Sequence, residues 1–336
     1  MKAINSRLTL GVLAAAVMGL AWLAGQPVQA ADQVNLTIAA GSPGGVYFKN
    51  AAAYGEIIKK VIPGASVTVT SGGGMANAER LDSGDADIGI LENAVATLGF
   101  RGEPPAKKKY NYRMIAAFSG PSRAQAMILE KSGVKRFEEI KAKKYPLKVA
   151  MFEKHQLATQ QAEAVFNAYG ITFDDIKSWG GYVTFGSINE GFRQMEDGIV
   201  EMWFTGSSFS PHPKFIEMGT KQKFRLLPIS KEVAEKVGKK FGQPIVEVPA
   251  DIYKDFNGTN EPYWTMDTTL CFAVKTNMPE DVAYKLTKAL VDYKDDLYAV
   301  HQQNKYYKPE TAWQGVGECP LHPGAARFYK EKGYMK

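Results

Sequence analysis

Between Gly41 and Phe48 the chain reads GSPGGVYF, directly after the apolar run VNLTI. Gly44 and Gly45 have no side chain to hold a partner at a distance, Ser42 carries a hydroxyl donor, and Tyr47 offers both a ring and an O–H. Where a strand hands over to a helix, such a group turns free backbone N–H donors toward an anion. Asn77 follows the run Gly72-Gly73-Gly74, a place where a polar side chain serves either the turn or a ligand. In WFTGSSF, an aromatic wall of Trp203 and Phe204 precedes the hydroxyls of Thr205, Ser207 and Ser208. That pattern suits a small-molecule pocket, and a core strand running into a loop would give it as well.

These residue types do not spell a catalytic apparatus. GSPGG lacks the Gly-Lys-Ser/Thr ending of a nucleotide loop, it is no Gly-x-Gly-x-x-Gly pattern, and no Gly-x-Ser-x-Gly elbow occurs. Cys271, Cys319 and the histidines at 155, 212, 301 and 322 have no zinc-like spacing, so neither a metal nor a cofactor is expected. The two cysteines leave a single disulfide and a buried free thiol equally open, because Cys271 sits inside the strand-like run TTLCFAVK. The formal net charge is +6. The compact basic run at 107–109 follows Pro104-Pro105 as a solvated loop, so no nucleic-acid partner is expected.

The elements that must position these groups follow from periodicity. Residues 1–30 read as a signal peptide: Lys2 and Arg7 precede LTLGVLAAAVMGLAWLAG, and Val28-Gln29-Ala30 supplies a cleavage site, predicting export and cleavage after Ala30. From Val34 onward, short runs rich in β-branched residues alternate with helical segments: VNLTIAA, a helix, ASVTVTS, a helix, ADIGILE. That order predicts a parallel sheet covered by helices. YRMIAAF and AQAMILEK read as two further strands, and a second α/β unit begins near FEEIKAKKY. A helix is expected from Pro279 to about Asn304. The reading is an α/β protein of two lobes, residues 31–122 with 228–336 and residues 123–227, with a ligand cleft at the carboxyl ends of the strands.

Four blocks in order then resemble one family. GSPGGVYF, GGGMANAERLDSGDADIGILENAVA, MPEDVAYKLTKAL and PLHPGAARFYKEKG are similar to the TAXI subfamily of substrate receptors of TRAP transporters. The resemblance implies a type II periplasmic-binding-protein fold, a periplasmic location, no catalysis and no cofactor. It also implies a small organic-acid ligand such as glutamate or 2-oxoglutarate, handed to a TRAP membrane permease driven by an ion gradient. A monomer is the default for such a receptor. The backbone at Gly44 and Gly45, with Ser42, Tyr47 and Asn77, would meet the ligand's carboxylate.

Two departures stand out. Glu92, followed by Asn93, occupies a position where the family leads one to expect a neutral amide, and a carboxylate there repels an anion unless it finds a cation or takes up a proton. After KVAMF, where a Gly-Ser-Gly-Thr turn is usual, the chain has EKHQLATQQ, so Lys154, His155, Gln156 or Thr159 would stand in. Two other readings remain open: a ligand-sensing module for a membrane kinase, and an enzyme on the same fold using Glu92 with His155.

Overall fold

The computed structural model describes residues 34–41, 43, 45–154, 156–253 and 261–336. The expected signal peptide lies outside the described residues, as do Ser42, Gly44 and His155.

The predicted alternation holds through the first unit. β1 (Asn35–Ala39), α1 (Val46–Val61), β2 (Ser66–Thr70), α2 (Gly74–Ser83), β3 (Ile88–Glu92) and α3 (Asn93–Arg101) follow in turn. β1 pairs in parallel with β2 (Ile38 opposite Val69) and with β3 (Ile38 opposite Ile88). Gly84 and Gly102, both at positive φ, close α2 and α3 in the left-handed conformation that a residue with a Cβ resists.

The second unit contains α4 (Phe137–Ala142), β5 (Lys148–Met151), α5 (Leu157–Ala168), α6 (Phe173–Ser178), β6 (Tyr182–Phe185), α7 (Ile188–Glu196) and β7 (Met202–Phe209). It continues through α8 (Pro213–Gly219), β8 (Phe224–Leu226), α9 (Lys231–Phe241) and β9 (Ile245–Val248). β5 pairs in parallel with β6 and β7.

Two long strands join the units. β4 runs from Tyr112 to Leu129 and β10 from Tyr263 to Lys275, antiparallel to one another. The sheet order is β2-β1-β3-β10-β4-β7-β5-β6, with β8 on β4 and β9 on β10. The sequence predicts two strands where β4 is one. Gly120-Pro121 lie between the two expected runs, and a register shift in β10 between Thr268 and Leu270 lies opposite, so no ladder bond is asked of Pro121. Conversely, the helix expected from Pro279 to Asn304 is divided at Tyr293 (φ −110°, ψ 29°) into α10 (Glu280–Asp292) and α11 (Lys294–Val300). α12 (Pro323–Glu331) closes the chain.

Each side has its own core. Ile38, Ile57, Ile90, Phe118, Phe272, Leu286 and Phe328 pack on one side, where Phe118 stacks on Phe272 with centroids 4.3 Å apart. Phe137, Val149, Phe166 and Phe204 pack on the other. Ile229, Val233, Val237, Phe241 and Met266 share this second core, so the stretch 228–266, read from the sequence with the first lobe, packs largely with the second. The chain returns to the first core along β10. Cys271 and Cys319 are buried free thiols rather than a disulfide. Among the described residues no helix is long and apolar enough to cross a membrane.

Candidate functional site

A cavity of about 850 Å³ opens between the two units at the ends of β1, β3 and β5. Gly45, Tyr47, the Gly72-Gly73-Gly74 turn and Glu92 line it from the first unit, and Phe152, Gln156, Leu157 and Ser207 from the second. Met75, Val95 and Leu98 complete an apolar wall.

Four helix N-termini meet there: α1 at Gly45, α2 at Gly73, α3 at Glu92 and α5 at Gln156. None of these N-cap residues bonds its helix with a side chain. Away from the cavity, Thr172, Ser187, His212, Ser230 and His322 cap α6, α7, α8, α9 and α12, while α4, α10 and α11 also lack a side-chain cap. First-turn N–H groups are orphan donors that need water, a side chain or a ligand. Here no N-cap side chain takes them up in the four helices, although in α3 Asn93 Oδ1 accepts from Ala94 N–H. Each helix end also carries roughly half a positive charge.

The glycine turn is built for this. Gly73 (φ 151°) and Gly74 (φ 37°) adopt conformations that favour glycine, and a Cβ on Gly72 would stand 2.2 Å from the Asn77 side-chain oxygen. Asn77 is the knot behind the turn: its Nδ2 donates to Ala40 O and Ile90 O at 2.8 Å each, and its Oδ1 accepts from Gly73 N–H at 3.0 Å.

Electrostatically the cavity is unusual for an anion site. Among the described lining residues there is no lysine or arginine, and Glu92 brings a carboxyl to the wall. Its Oε2 is enclosed and has no hydrogen-bond partner among the described residues, and it lies 3.7 Å from where a Cβ on Gly74 would be. Burial pushes the Glu92 carboxyl above its ordinary range, and the neighbouring Tyr47 hydroxyl and Glu92's own backbone amide draw it partly back. Tyr47 is in turn pushed up, first by burial and then by Glu92.

A family model described as NMT1-like matches residues 38–333. The chain belongs to the NMT1-like family. In structure this NMT1-like protein is similar to a TctC solute-binding protein from Polaromonas solved without ligand (TM-score 0.53, 15% identity, covering 81% of this chain and 88% of that one). It is also similar to PhnD1 from Prochlorococcus marinus in complex with methylphosphonate (TM-score 0.50, 10% identity, 82% and 92% covered). A TRAP periplasmic solute-binding protein from Rhodobacter sphaeroides matches at a TM-score of 0.45 and 13% identity over 81% and 83%. The shared architecture is the type II-like periplasmic-binding-protein fold that the sequence led one to expect.

Of the side chains singled out in the sequence of this NMT1-like protein, Tyr47, Glu92, Gln156 and Ser207 reach the cavity together with the Gly45 backbone. Among the other described ones, Asn77, Asn93, Thr159, Thr205, Trp203 and Lys154 do not, each for a reason in its packing. Asn77 spends its hydrogen bonds on the backbone knot. Asn93, fully buried, donates to Asp267 O at 3.3 Å and accepts from Ala94 N–H. The Thr159 hydroxyl donates to Phe152 O at 2.8 Å, holding the loop after β5. Thr205 is turned back on Ser207, donating to its carbonyl. Trp203 is fully buried, with Phe152 edge-on at 5.0 Å, so it supports the wall from behind. The ammonium of Lys154 lies over the Phe185 ring at 4.9 Å rather than in the cavity. The sequence reading missed Met75, Val95, Leu98, Phe152 and Leu157; their apolar type looks the same in a core as on a ligand wall.

Proposed function

We propose that this NMT1-like protein is an exported, non-catalytic solute-binding receptor of the TAXI subfamily of TRAP transporters, working as a monomer in the periplasm. It holds a small carboxylate in the cavity between its two units and delivers it to a membrane permease. The observation that carries the reading is the convergence of four helix N-termini without side-chain caps on one cavity between two α/β units. Such ends supply N–H donors and positive potential to an anion without a basic side chain. Two proteins of similar fold are described as a solute-binding protein and as bound to methylphosphonate, which agrees with this use of the cavity. A ligand touching Gly45 and Gly73 on one side and Gln156 and Ser207 on the other favours the closed arrangement by its extra contacts there.

The test is a thermal-shift and calorimetry screen of the purified protein, stripped of carried-over ligand, against mono- and dicarboxylates, oxoacids and amino acids. A ligand at about 100 times its dissociation constant adds about 2.7 kcal/mol of stability. A folded protein that responds to no acid refutes the reading.

A further inference from the structure

The receptor reading names a carboxylate and leaves the rest of the ligand open. Three features of the wall constrain it. The positive potential comes from helix ends at Gly45, Gly73 and Gln156, spread around the cavity. A single carboxyl, that of Glu92, lies among them with one oxygen enclosed and unpartnered. The remainder combines the apolar side chains of Met75, Val95, Leu98, Phe152 and Leu157 with the neutral polar ones of Gln156, Gln160 and Ser207.

A dicarboxylate fits this badly. It would bring two negative charges to a site that already holds Glu92 and has no lysine or arginine among its described lining residues. An ionised group in such surroundings needs a cation within a few ångströms, or it gives up its charge. Beyond the helix ends, the described side chains that could meet the second carboxylate are neutral (Gln156, Gln160 and Ser207) or apolar, so none balances its charge. A ligand that carries its own cation resolves both conflicts.

Resting on the receptor reading, we propose that the ligand is a zwitterion with an apolar body: an α-amino acid with an aliphatic or aromatic side chain. Its carboxylate sits on the N–H groups at the helix ends, its ammonium pairs with Glu92, and its side chain packs against Met75, Val95, Leu98, Phe152 and Leu157. Tyr47 lines the same cavity beside Glu92, and its hydroxyl favours the ionised carboxyl that the ammonium would pair with. Each charged end then has a partner of opposite sign, and no charge faces the apolar wall.

The experiment is calorimetry on the stripped protein with leucine and phenylalanine. Comparison ligands are their deaminated analogues 4-methylpentanoate and 3-phenylpropionate, the decarboxylated phenethylamine, and the acids glutamate and 2-oxoglutarate. The amino acids are expected to bind. Loss of either charged end should weaken binding by about 100-fold, as expected when one partner of an enclosed ion pair is removed. Glu92→Gln should weaken leucine and phenylalanine by a similar factor while leaving 3-phenylpropionate unchanged or tighter. That opposite response separates ammonium pairing from general damage to the fold.

If 3-phenylpropionate, glutamate or 2-oxoglutarate binds the parent as tightly as the amino acids do, the zwitterion inference is overturned and the carboxylate receptor stands. The same holds if Glu92→Gln leaves leucine and phenylalanine affinity unchanged. If no acid of any kind binds the folded protein, the receptor reading falls and this inference falls with it.

Discussion

Replacing Asn77 by alanine should loosen the floor of the cavity without removing any atom that lines it. The side chain is fully buried and ties three main-chain groups: the Ala40 carbonyl after β1, the Ile90 carbonyl in β3 and the Gly73 amide in the turn before α2. Alanine offers none of these bonds. A buried main-chain group left without its partner costs about 1–3 kcal/mol. Taking about 1 kcal/mol for each, since water can reach the turn from the adjoining cavity, gives a loss of about 3 kcal/mol. For a chain of this size that corresponds to a fall in Tm of about 4–5 °C. Asn77→Asp should cost at least as much, because a carboxylate would confront two carbonyl oxygens that now accept from Nδ2. Gly72→Ala attacks the same knot from outside, its new Cβ standing 2.2 Å from Oδ1 in the parent geometry. Its cost and that of Asn77→Ala should therefore be sub-additive in a double-mutant cycle. The assay is thermal and urea unfolding of the ligand-free protein followed by circular dichroism. An Asn77→Ala protein that melts within about 1 °C of the parent but has lost ligand affinity would refute this account and make Asn77 a ligand contact instead.

Glu92→Gln should stabilise the ligand-free protein at neutral pH. Burial raises the folded-state pKa of Glu92, so its favourable contribution is complete below the ordinary carboxylate value and is lost as pH rises through the raised one. The glutamine variant should lack that decline, and parallel Tm-versus-pH curves for the two proteins would count against a strained carboxyl. His212 acts in the opposite direction. Burial, with Lys214 adding to it, pushes its pKa down from 6.5 to about 4, and its neutral Nδ1 caps α8 by accepting from Lys214 N–H at 3.1 Å. Its contribution is full above pH 6.5 and lost as pH falls toward 4; His212→Asn should flatten this acid limb of the stability curve. In α7, Gly191→Ala would set a Cβ 2.2 Å from the ring of fully buried Trp203. Overpacking of this kind costs about 1–3 kcal/mol, read as a lower urea midpoint, and an unchanged midpoint would show that the β7 layer can give way.

Much of the framework was readable because it depends on neighbours in the chain. The alternation of β-branched runs with helical segments, the glycine turns before α1 and α2, and the caps that end helices at Gly84 and Gly102 are short-range matters of sterics and hydrogen bonding. The same locality explains why Tyr47 and Gln156, at the starts of helices that follow strands, reach the cavity where an α/β sheet presents its loops. Misjudgements arose where a residue's environment is made by distant chain. Trp203 and Thr205 looked accessible at a strand end, but β7 lies between β4 and β5 and is closed on both sides. YRMIAAF and AQAMILEK are two runs in sequence, and they join as one strand because the partner, β10, supplies an irregularity opposite Pro121.

By itself the sequence determined the α/β class, the order of elements, the turns that free backbone donors and the presence of a carboxyl at Glu92. Tertiary structure decided which of these meet. Leu270 pairs with Glu92 across β10 and β3, Asn77 binds β1 to β3, and Phe152 and Leu157 face Met75 and Leu98 across one cavity. The reason is physical. Turns and caps are local balances of sterics and hydrogen bonds, whereas the burial that leaves one Glu92 oxygen unpartnered is created only when segments far apart in the chain close around it.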